Sequence, residues 1–300
     1  MSTLRMLVRR NIRMFLHDKG LFFTSLITPA ILLVLYISFL GGVFRDAFST
    51  ALPEGLEGVD RILDGLVGGQ LISSILAVSC VTVAFCSGML SVQDKASGVR
   101  RDMAVSAVSP HVLALSYYIA NLLSTLLVCL SAMALCLLYL AAVGWYLSVF
   151  DVLLLLLDVL LLSLFGTALS SLVNLFLFTQ GQISAVGTVV SSGYGFVAGA
   201  YMPISQFGEG LRTVIALLPG THGTVLLRNH AMRGAMEALA EAGVPAEAIE
   251  MHKRSADLYL YLGDTRISTP VLYTVLIGAV LLIVGLYVLL HALRERRAAR

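Results

Sequence analysis

Long apolar runs separated by short polar segments make up most of the chain. A helix that crosses a bilayer needs roughly 20 mainly apolar residues. Runs of about this length occupy residues 20–43, 71–91, 111–143, 152–178, 183–201 and 270–291. The pattern predicts an all-α integral membrane protein with six transmembrane helices, in which residues 1–300 form a single transmembrane domain.

The segment before the first run, residues 2–18, has the pattern of an amphipathic helix. Its apolar residues recur at helical spacing, and its arginines fall largely between them. The apolar set is Leu4, Leu7, Val8, Ile12, Phe15 and Leu16, and the arginines are Arg5, Arg9, Arg10 and Arg13. A basic amphipathic helix of this kind is typical of a membrane surface. The same positive charges could instead serve only to fix the orientation of the first membrane helix, and the two interpretations are compatible.

Residues 202–232 interrupt the pattern between the fifth and sixth runs. Met202-Pro203 ends the fifth run, and a short amphipathic piece leads to a second break at Pro219-Gly220. An apolar stretch that is too short to span and is bracketed by Pro and Gly predicts a re-entrant helical hairpin. Irregular backbone at membrane depth needs protein or a water-filled cavity around it, so we expect the translocation path here. The alternative is an outer loop lying on the bilayer surface.

The most polar part of the chain follows this hairpin, at residues 233–269. Its pattern predicts two short helices, Ala235–Ala242 and Ala246–Leu258, separated by Gly243 and Pro245. We therefore expect an extracytoplasmic insert before the last transmembrane helix.

Composition and charge agree with a membrane protein and predict its orientation. The chain is 58% hydrophobic and only 13% charged, with a mean hydropathy of +0.90, whereas about a quarter of the residues in an average soluble protein are charged. Lys and Arg number five in residues 1–19, three in 91–110 and four in 294–300, but only two in 44–69 and 144–151 together. Because basic residues concentrate on the cytoplasmic side, both termini are predicted to be cytoplasmic.

The sequence carries no recognisable enzyme motif. HExxH, GxSxG and GxxxxGK[ST] are all absent, and the histidines form no ligand-like cluster. We expect no catalytic residue, metal site or cofactor in this chain. If the protein uses ATP, then ATP and Mg bind to another subunit.

Polar residues inside the predicted membrane helices are few. Asp158 lies on roughly the same helix face as Asp151, Asn174 lies further along the same apolar run as Asp158, and Asn121 lies in the third run. An ionisable residue in a membrane is costly and needs a partner. Asp158 is therefore structural, lines a path or couples an ion, with the structural role favoured.

Small residues recur every fourth position in the fourth and fifth runs. They are Gly166, Ser170 and Asn174 in the fourth run, and Gly187, Ser191, Gly195 and Gly199 in the fifth. Such ladders let helix backbones approach closely in lipid. Packing within the chain and a dimer seam are equally compatible with them.

The polar loop QDKASGVRRDMAVSAVSP, at residues 93–110, predicts a short amphipathic helix around residues 94–107. Val99, Met103, Ala104 and Ala107 share one helical face. A helix here is a natural contact for a soluble partner, although a solvated loop helix would have the same pattern.

Together these features resemble the membrane (permease) subunit of a type-2 ABC exporter. The entry RNIRMFLHDKGLFFTSLITPAILLVLY resembles the start of that family's first membrane helix. The loop at residues 93–110 resembles its coupling loop, although the family usually has Glu and Leu where Asp94 and Met103 stand. GAYMPISQFGEGLRTVIALLPGTHGTVLLRNH resembles its re-entrant hairpin. The segment 233–269 departs from the family pattern, which has a shorter connection there.

The resemblance implies roles for specific residues. The ATPase-coupling helix would comprise Asp94, Gly98, Val99, Arg100, Arg101, Asp102 and Met103, followed by Pro110. The re-entrant hairpin and path would include Gly199, Pro203, Pro219, Thr221 and Arg228. The implied partners are an ABC ATPase subunit, a second permease copy or paralogue, and membrane lipid, with no nucleic acid.

The implied function is ATP-driven export of an amphipathic or lipid-linked substrate, such as a drug, peptide or glycolipid, across a prokaryotic plasma (inner) membrane. One alternative is an ion-coupled secondary transporter, which would show inverted repeats and several intramembrane carboxylates. Another is a non-transporting membrane scaffold or immunity protein with the same fold.

Overall fold

A computed structural model of the chain describes residues 2–50, 59–105, 108–263 and 265–298, and nearly all of them are helical. The first half contains α1 (Ser2–His17), α2 (Lys19–Leu35), α3 (Gly41–Ser49), α4 (Val59–Ala96), α5 (Val99–Val105) and α6 (Pro110–Val143). The second half contains α7 (Val149–Asn174), α8 (Gln180–Val197), α9 (Glu209–Ala216), α10 (Pro219–Glu241), α11 (Ala246–Ser255) and α12 (Thr269–Ala298).

Short irregular elements join some of these helices. A π-helical turn, Tyr36–Leu40, connects α2 to α3, and a 3₁₀ turn, Ile204–Gln206, precedes α9. After α11, the strand β1 (Tyr261–Leu262) pairs antiparallel with β2 (Thr265–Arg266). The sequence pattern did not predict this small hairpin.

The helix α4 lies at the centre of the bundle. It packs against α2, α6, α7, α8 and α10. In its most apolar stretch 83% of the residues are buried, compared with 33% in α6 and 17% in α12. The other long helices therefore surround α4 and turn part of their apolar surface outwards.

Five helical segments among the described residues are long and apolar enough to cross a membrane. They are Pro29–Ser49, α4, α6, α7 and residues 269–291 of α12. The fifth predicted run, 183–201, lies mostly in α8, which ends at Val197 and is not among these five segments. The helix α8 contains two glutamines and several Ser and Gly residues, which lower its mean hydropathy. The structure is that of an all-α membrane protein, and the count of six spans stays a prediction.

The helix that contains the second predicted run, 71–91, begins much earlier, at Val59. Asp60 and Asp64 lie in this extension before the predicted run, and both carboxylates form ion pairs with Arg45 of α3. The helix α4 is therefore longer than the predicted run, whose bounds as a membrane span stay a prediction.

The helix α10 continues through the predicted boundary between the hairpin and the insert. Ala235–Ala242 is therefore not a separate helix, since α10 ends only at Glu241. Met236 and Leu239 are buried in this continuation. The segment continues as one helix because its apolar face packs into the bundle.

The fourth predicted run, 152–178, also ends early, because α7 stops at Asn174. Thr179 then caps α8: its hydroxyl accepts from the Gln182 amide at 3.3 Å, and the Gln182 side chain accepts from the Thr179 amide at 3.2 Å. This reciprocal capping box satisfies two free donors at the helix start. It accounts for the tight return between the two helices.

Candidate functional site

A buried ion pair joins three helices at the end of α4. Asp94 accepts a hydrogen bond from Arg10 Nη1 of α1 at 2.7 Å and from the Tyr117 hydroxyl of α6 at 2.6 Å. The Asp94 side chain is almost fully buried. Hydrogen bonding to Asp94 raises the pKa of Arg10, so the guanidinium stays charged. The ends of α1, α4 and α6 are thus held together by a single carboxylate.

The next residue, Lys95, attaches α7 to the same end of α4. Its Nζ donates to the carbonyl oxygens of Asn174 at 2.6 Å and of Leu175 and Leu177 at 3.3 Å each. These carbonyls lie at the C-terminal end of α7, where a helix has unpaired acceptors and partial negative charge. A lysine here stabilises the helix end and fixes its position relative to α4.

The predicted coupling segment follows directly as a turn and the short helix α5. Asp94 belongs to α4, Gly98 lies in the turn with φ +84°, and α5 begins at Val99. The expectation that Gly98 lies within the short helix was wrong, because the left-handed backbone that starts α5 at a new angle is one that glycine adopts without strain.

The helix α5 also contacts the last helix of the chain. Arg100 Nη2 lies 2.6 Å from His291 Nε2 on α12. Asp102 is exposed and Met103 is half-buried. The side chain of Arg101 and residues 106–107 lie outside the described residues. Through Asp94, Lys95 and Arg100, the α4–α5 corner is bonded to α1, α6, α7 and α12.

Asn121 and Asn174 take part in polar contacts around α4. Ser87 donates to Asn121 Oδ1 at 2.5 Å, and Asn174 Nδ2 donates to the Gly88 carbonyl at 3.0 Å. Ser170 donates to the Ala84 carbonyl at 2.9 Å. The small-residue ladder of α7 therefore packs against α4 of the same chain.

The predicted hairpin residues meet around a second buried cation. Arg228 of α10 is fully buried, and its Nη2 donates to the Gly199 carbonyl at 2.8 Å. Gly199 has φ +69° in the turn after α8. Arg228 Nη1 lies 3.5 Å from Asp257 Oδ2. Two residues singled out 29 positions apart in the sequence are thus in direct contact.

Two of the remaining hairpin residues, Pro219 and Thr221, lie where α10 begins. Pro219 is at the first turn of α10, a position that needs no backbone donor. The Thr221 hydroxyl donates to the Val197 carbonyl at the end of α8, at 3.3 Å. Pro203 precedes the 3₁₀ turn. The start of α10 is therefore bonded to the end of α8, and Gly223 packs on Leu162, midway along α7.

Asp158 has two partners that sequence reasoning missed, one buried and one half-buried. His230 Nδ1 of α10 lies 2.5 Å from Asp158 Oδ2, and the Tyr273 hydroxyl of α12 donates to Oδ1 at 2.8 Å. Asp158 itself is fully buried. The carboxylate thus joins α7, α10 and α12. The sequence indicated only that Asp158 needs a partner, and it did not indicate which residues supply one.

The family comparison identifies the class of protein. Residues 47–287 match the family model described as "ABC-2 family transporter protein". The chain belongs to the ABC-2 family. This match confirms the ABC-2 resemblance drawn from the sequence motifs, and it covers both the α4–α5 corner and the Arg228 junction. No curated protein matches the chain.

An ABC-2 protein of this kind is the permease of an ABC transporter, and membership of the family implies an ATPase partner. The family match and the apolar helices also make this chain a multi-pass membrane protein. The ABC-2 assignment makes the α4–α5 corner a candidate contact for the partner. Motion generated in a partner subunit can reach the membrane helices only through such a contact.

Proposed function

We propose that this chain is the permease subunit of an ATP-driven exporter that moves an amphipathic or lipid-linked substrate out of the cytoplasm. A separate ATPase subunit binds ATP and Mg, and this chain performs no catalysis itself. A second permease, identical or related, completes the transporter in a prokaryotic plasma membrane.

The observation that carries this proposal is the bonding around α5. A force on α5 reaches α4 through the adjoining turn, α1 and α6 through Asp94, and α7 through Lys95. Arg100 adds a contact to α12. An α4–α5 corner bonded in this way to most of the bundle is suited to transmitting ATPase motion.

The topology that fits this role has α8 as the fifth crossing and α5 and both termini in the cytoplasm. The junction of α8, α9 and α10 supports a re-entrant hairpin, since α10 begins beside the middle of α7 and Arg233 forms an ion pair with Asp151 near the start of α7. Thr221 donates to the carbonyl of Val197 at the end of α8, and Arg228 donates to the carbonyl of Gly199 in the turn after it. Satisfied carbonyls are what irregular backbone requires at membrane depth.

The proposal is tested by recovery of the ATPase with full-length permease from gently solubilised membranes of the native host. Asp102 is exposed on α5, so Asp102→Arg should reduce the co-purified P-loop ATPase about tenfold without loss of the permease. Asp46→Arg is the matched control, because Asp46 is equally exposed but lies on α3, at the far end of α4.

Equal loss of the ATPase in both variants, or in neither, would contradict the role of α5. If no P-loop protein co-purified with the wild-type permease, the result would favour the ion-coupled carrier. A stable complex with an ATPase but without ATP-dependent transport of any amphipathic probe would favour the scaffold.

A further inference from the structure

A pocket of 290 Å³ lies at the end of the bundle opposite α5. Residues from the 3₁₀ turn, α9, α11 and the β1–β2 hairpin line it. They are Ile204, Ser205, Arg212, Arg254, Asp257, Tyr259, Leu260, Tyr261 and Gly263. His252 of α11 connects this region to α3, since its Nε2 lies 2.8 Å from the Phe48 carbonyl oxygen. Most of this lining comes from the segment that departs from the family pattern.

The free charge in this pocket is positive. Asp257 is already engaged, because its carboxylate accepts from the Ile204 amide and faces buried Arg228. Arg212 is exposed and, among the described residues, has no carboxylate within ion-pair distance, although its charge acts on Asp257 at longer range. Arg254 has only a long contact, 3.9 Å from Nε to Glu250 Oε1. The two pocket arginines therefore remain available to an anion.

Aromatic rings hold the guanidinium groups beside the pocket. Arg254 lies over the Tyr261 ring at 5.7 Å, and the Tyr259 and Tyr261 rings meet edge to face at 6.5 Å. Arg266 lies over the outer ring, Tyr259, at 3.3 Å. Contacts of this kind reduce the freedom of an arginine before a ligand arrives.

We propose that this pocket binds the phosphate-bearing headgroup of an amphipathic molecule. A planar guanidinium forms paired hydrogen bonds with phosphate oxygens, and Arg212 and Arg254 approach the pocket from α9 and α11. Tyr259, Tyr261 and Leu260 provide the less polar wall that a headgroup attached to a chain requires. This inference names a substrate class for the proposed exporter and in that respect rests on the proposed function.

Titration calorimetry of the full-length permease in neutral maltoside detergent tests the pocket without ATP or an ATPase. The probes are dihexanoylphosphatidylglycerol, inorganic phosphate and neutral octyl glucoside. Arg212→Gln and Arg254→Gln should each weaken binding of the phospholipid about tenfold, because each removes a charged hydrogen bond. Lys253→Gln is the control, since it removes an adjacent charge on α11 that does not line the pocket.

Selective loss in the two arginine variants, with unchanged unfolding temperatures, would support the pocket. Competition by inorganic phosphate at similar concentration would identify the phosphate alone as the ligand, whereas binding of the phospholipid only would identify a lipid headgroup. Absence of binding, binding of octyl glucoside, or equal affinity in all variants would overturn it. Because no ATPase is present, failure of transport and failure of this binding are separate results.

Discussion

Asp158 shows how a buried charge is accommodated in this permease. Its carboxylate, on α7, contacts His230 of α10 and accepts a hydrogen bond from Tyr273 of α12. A buried carboxylate without partners would be strongly destabilising, whereas a paired one fixes the relative positions of its helices. The contacts favour the structural role among the three that the sequence left open.

Removing the partners of Asp158 should therefore lower stability more than it alters chemistry. His230→Ala should cost about 3–5 kcal/mol, because it breaks a buried pair and leaves the carboxylate under-satisfied. Tyr273→Phe should cost less, about 1.5–3 kcal/mol, since it removes one hydrogen bond to a charged group. Unfolding midpoints in detergent would rank the two variants.

Asp158→Asn provides the functional control. It retains the shape of the side chain, so assembly and transport should persist if Asp158 is structural. Loss of transport by an intact Asp158→Asn complex would show that the carboxylate has a more direct role.

Asp257 should make the stability of the segment 233–269 depend on pH. Burial raises its pKa from 3.8 to about 6, although Arg228 and the Ile204 amide act in the opposite direction. The folded protein thus binds this proton more tightly than the unfolded chain. The stabilisation from Asp257 is complete below about pH 4 and is lost as the pH rises through about 6, with a total of a few kcal/mol.

Asp257→Asn isolates this contribution, since Asn tolerates the positive φ of 52° at this position. The difference in unfolding temperature between wild type and variant, measured from pH 4 to 7, should fall with rising pH. A difference that is constant across this range would contradict the raised pKa.

At the scale of elements, the turn at Gly98 sets the angle between α4 and α5. A Cβ there would meet nothing within 4 Å, so a substitution acts through the backbone alone. The Gly98 amide also donates to the Lys95 carbonyl at 3.3 Å. The stability of the turn therefore depends on the backbone preference of the residue at position 98 and not on the volume of its side chain.

Gly98→Ala should destabilise this corner by about 1–2 kcal/mol, because alanine is strained at positive φ. Gly98→Asn should have a smaller effect, and Gly98→Pro a larger one, since proline cannot adopt φ +84° and lacks the amide donor. ATP-driven transport per bound ATPase should fall in the order Asn, Ala, Pro. Full transport by the proline variant would exclude a coupling role for this turn.

Sequence patterns predicted the elements better than their contacts. Hydropathy located the apolar helices, because lipid requires long apolar runs whatever their neighbours are. In the early turns of α4, Asp60 pairs with Arg45, a contact that no local pattern encodes. Likewise the motifs singled out Asp94 and Arg228, but pairing Asp94 with Arg10, 84 residues away, required the fold.

For the whole molecule, the proposed topology places α5 and α11 on opposite sides of the membrane. Single cysteines at Asp102 and Met251 report on these sides, because both residues are exposed. In a background with Cys80, Cys86, Cys129 and Cys136 replaced by alanine, an impermeant maleimide added to intact cells should label Met251→Cys. Asp102→Cys should react only after permeabilisation, and the reverse result would invert the topology.

The burial of α4 also bears on how the protein is made. In the finished bundle most of its apolar stretch contacts other helices rather than lipid. During synthesis, however, α4 enters the bilayer before α6, α7 and α10 have emerged from the ribosome, so lipid must serve as its temporary surroundings. Its hydrophobicity is therefore required by membrane insertion as well as by packing, and polar substitutions in α4 should disturb biogenesis even where the assembled bundle could accept them.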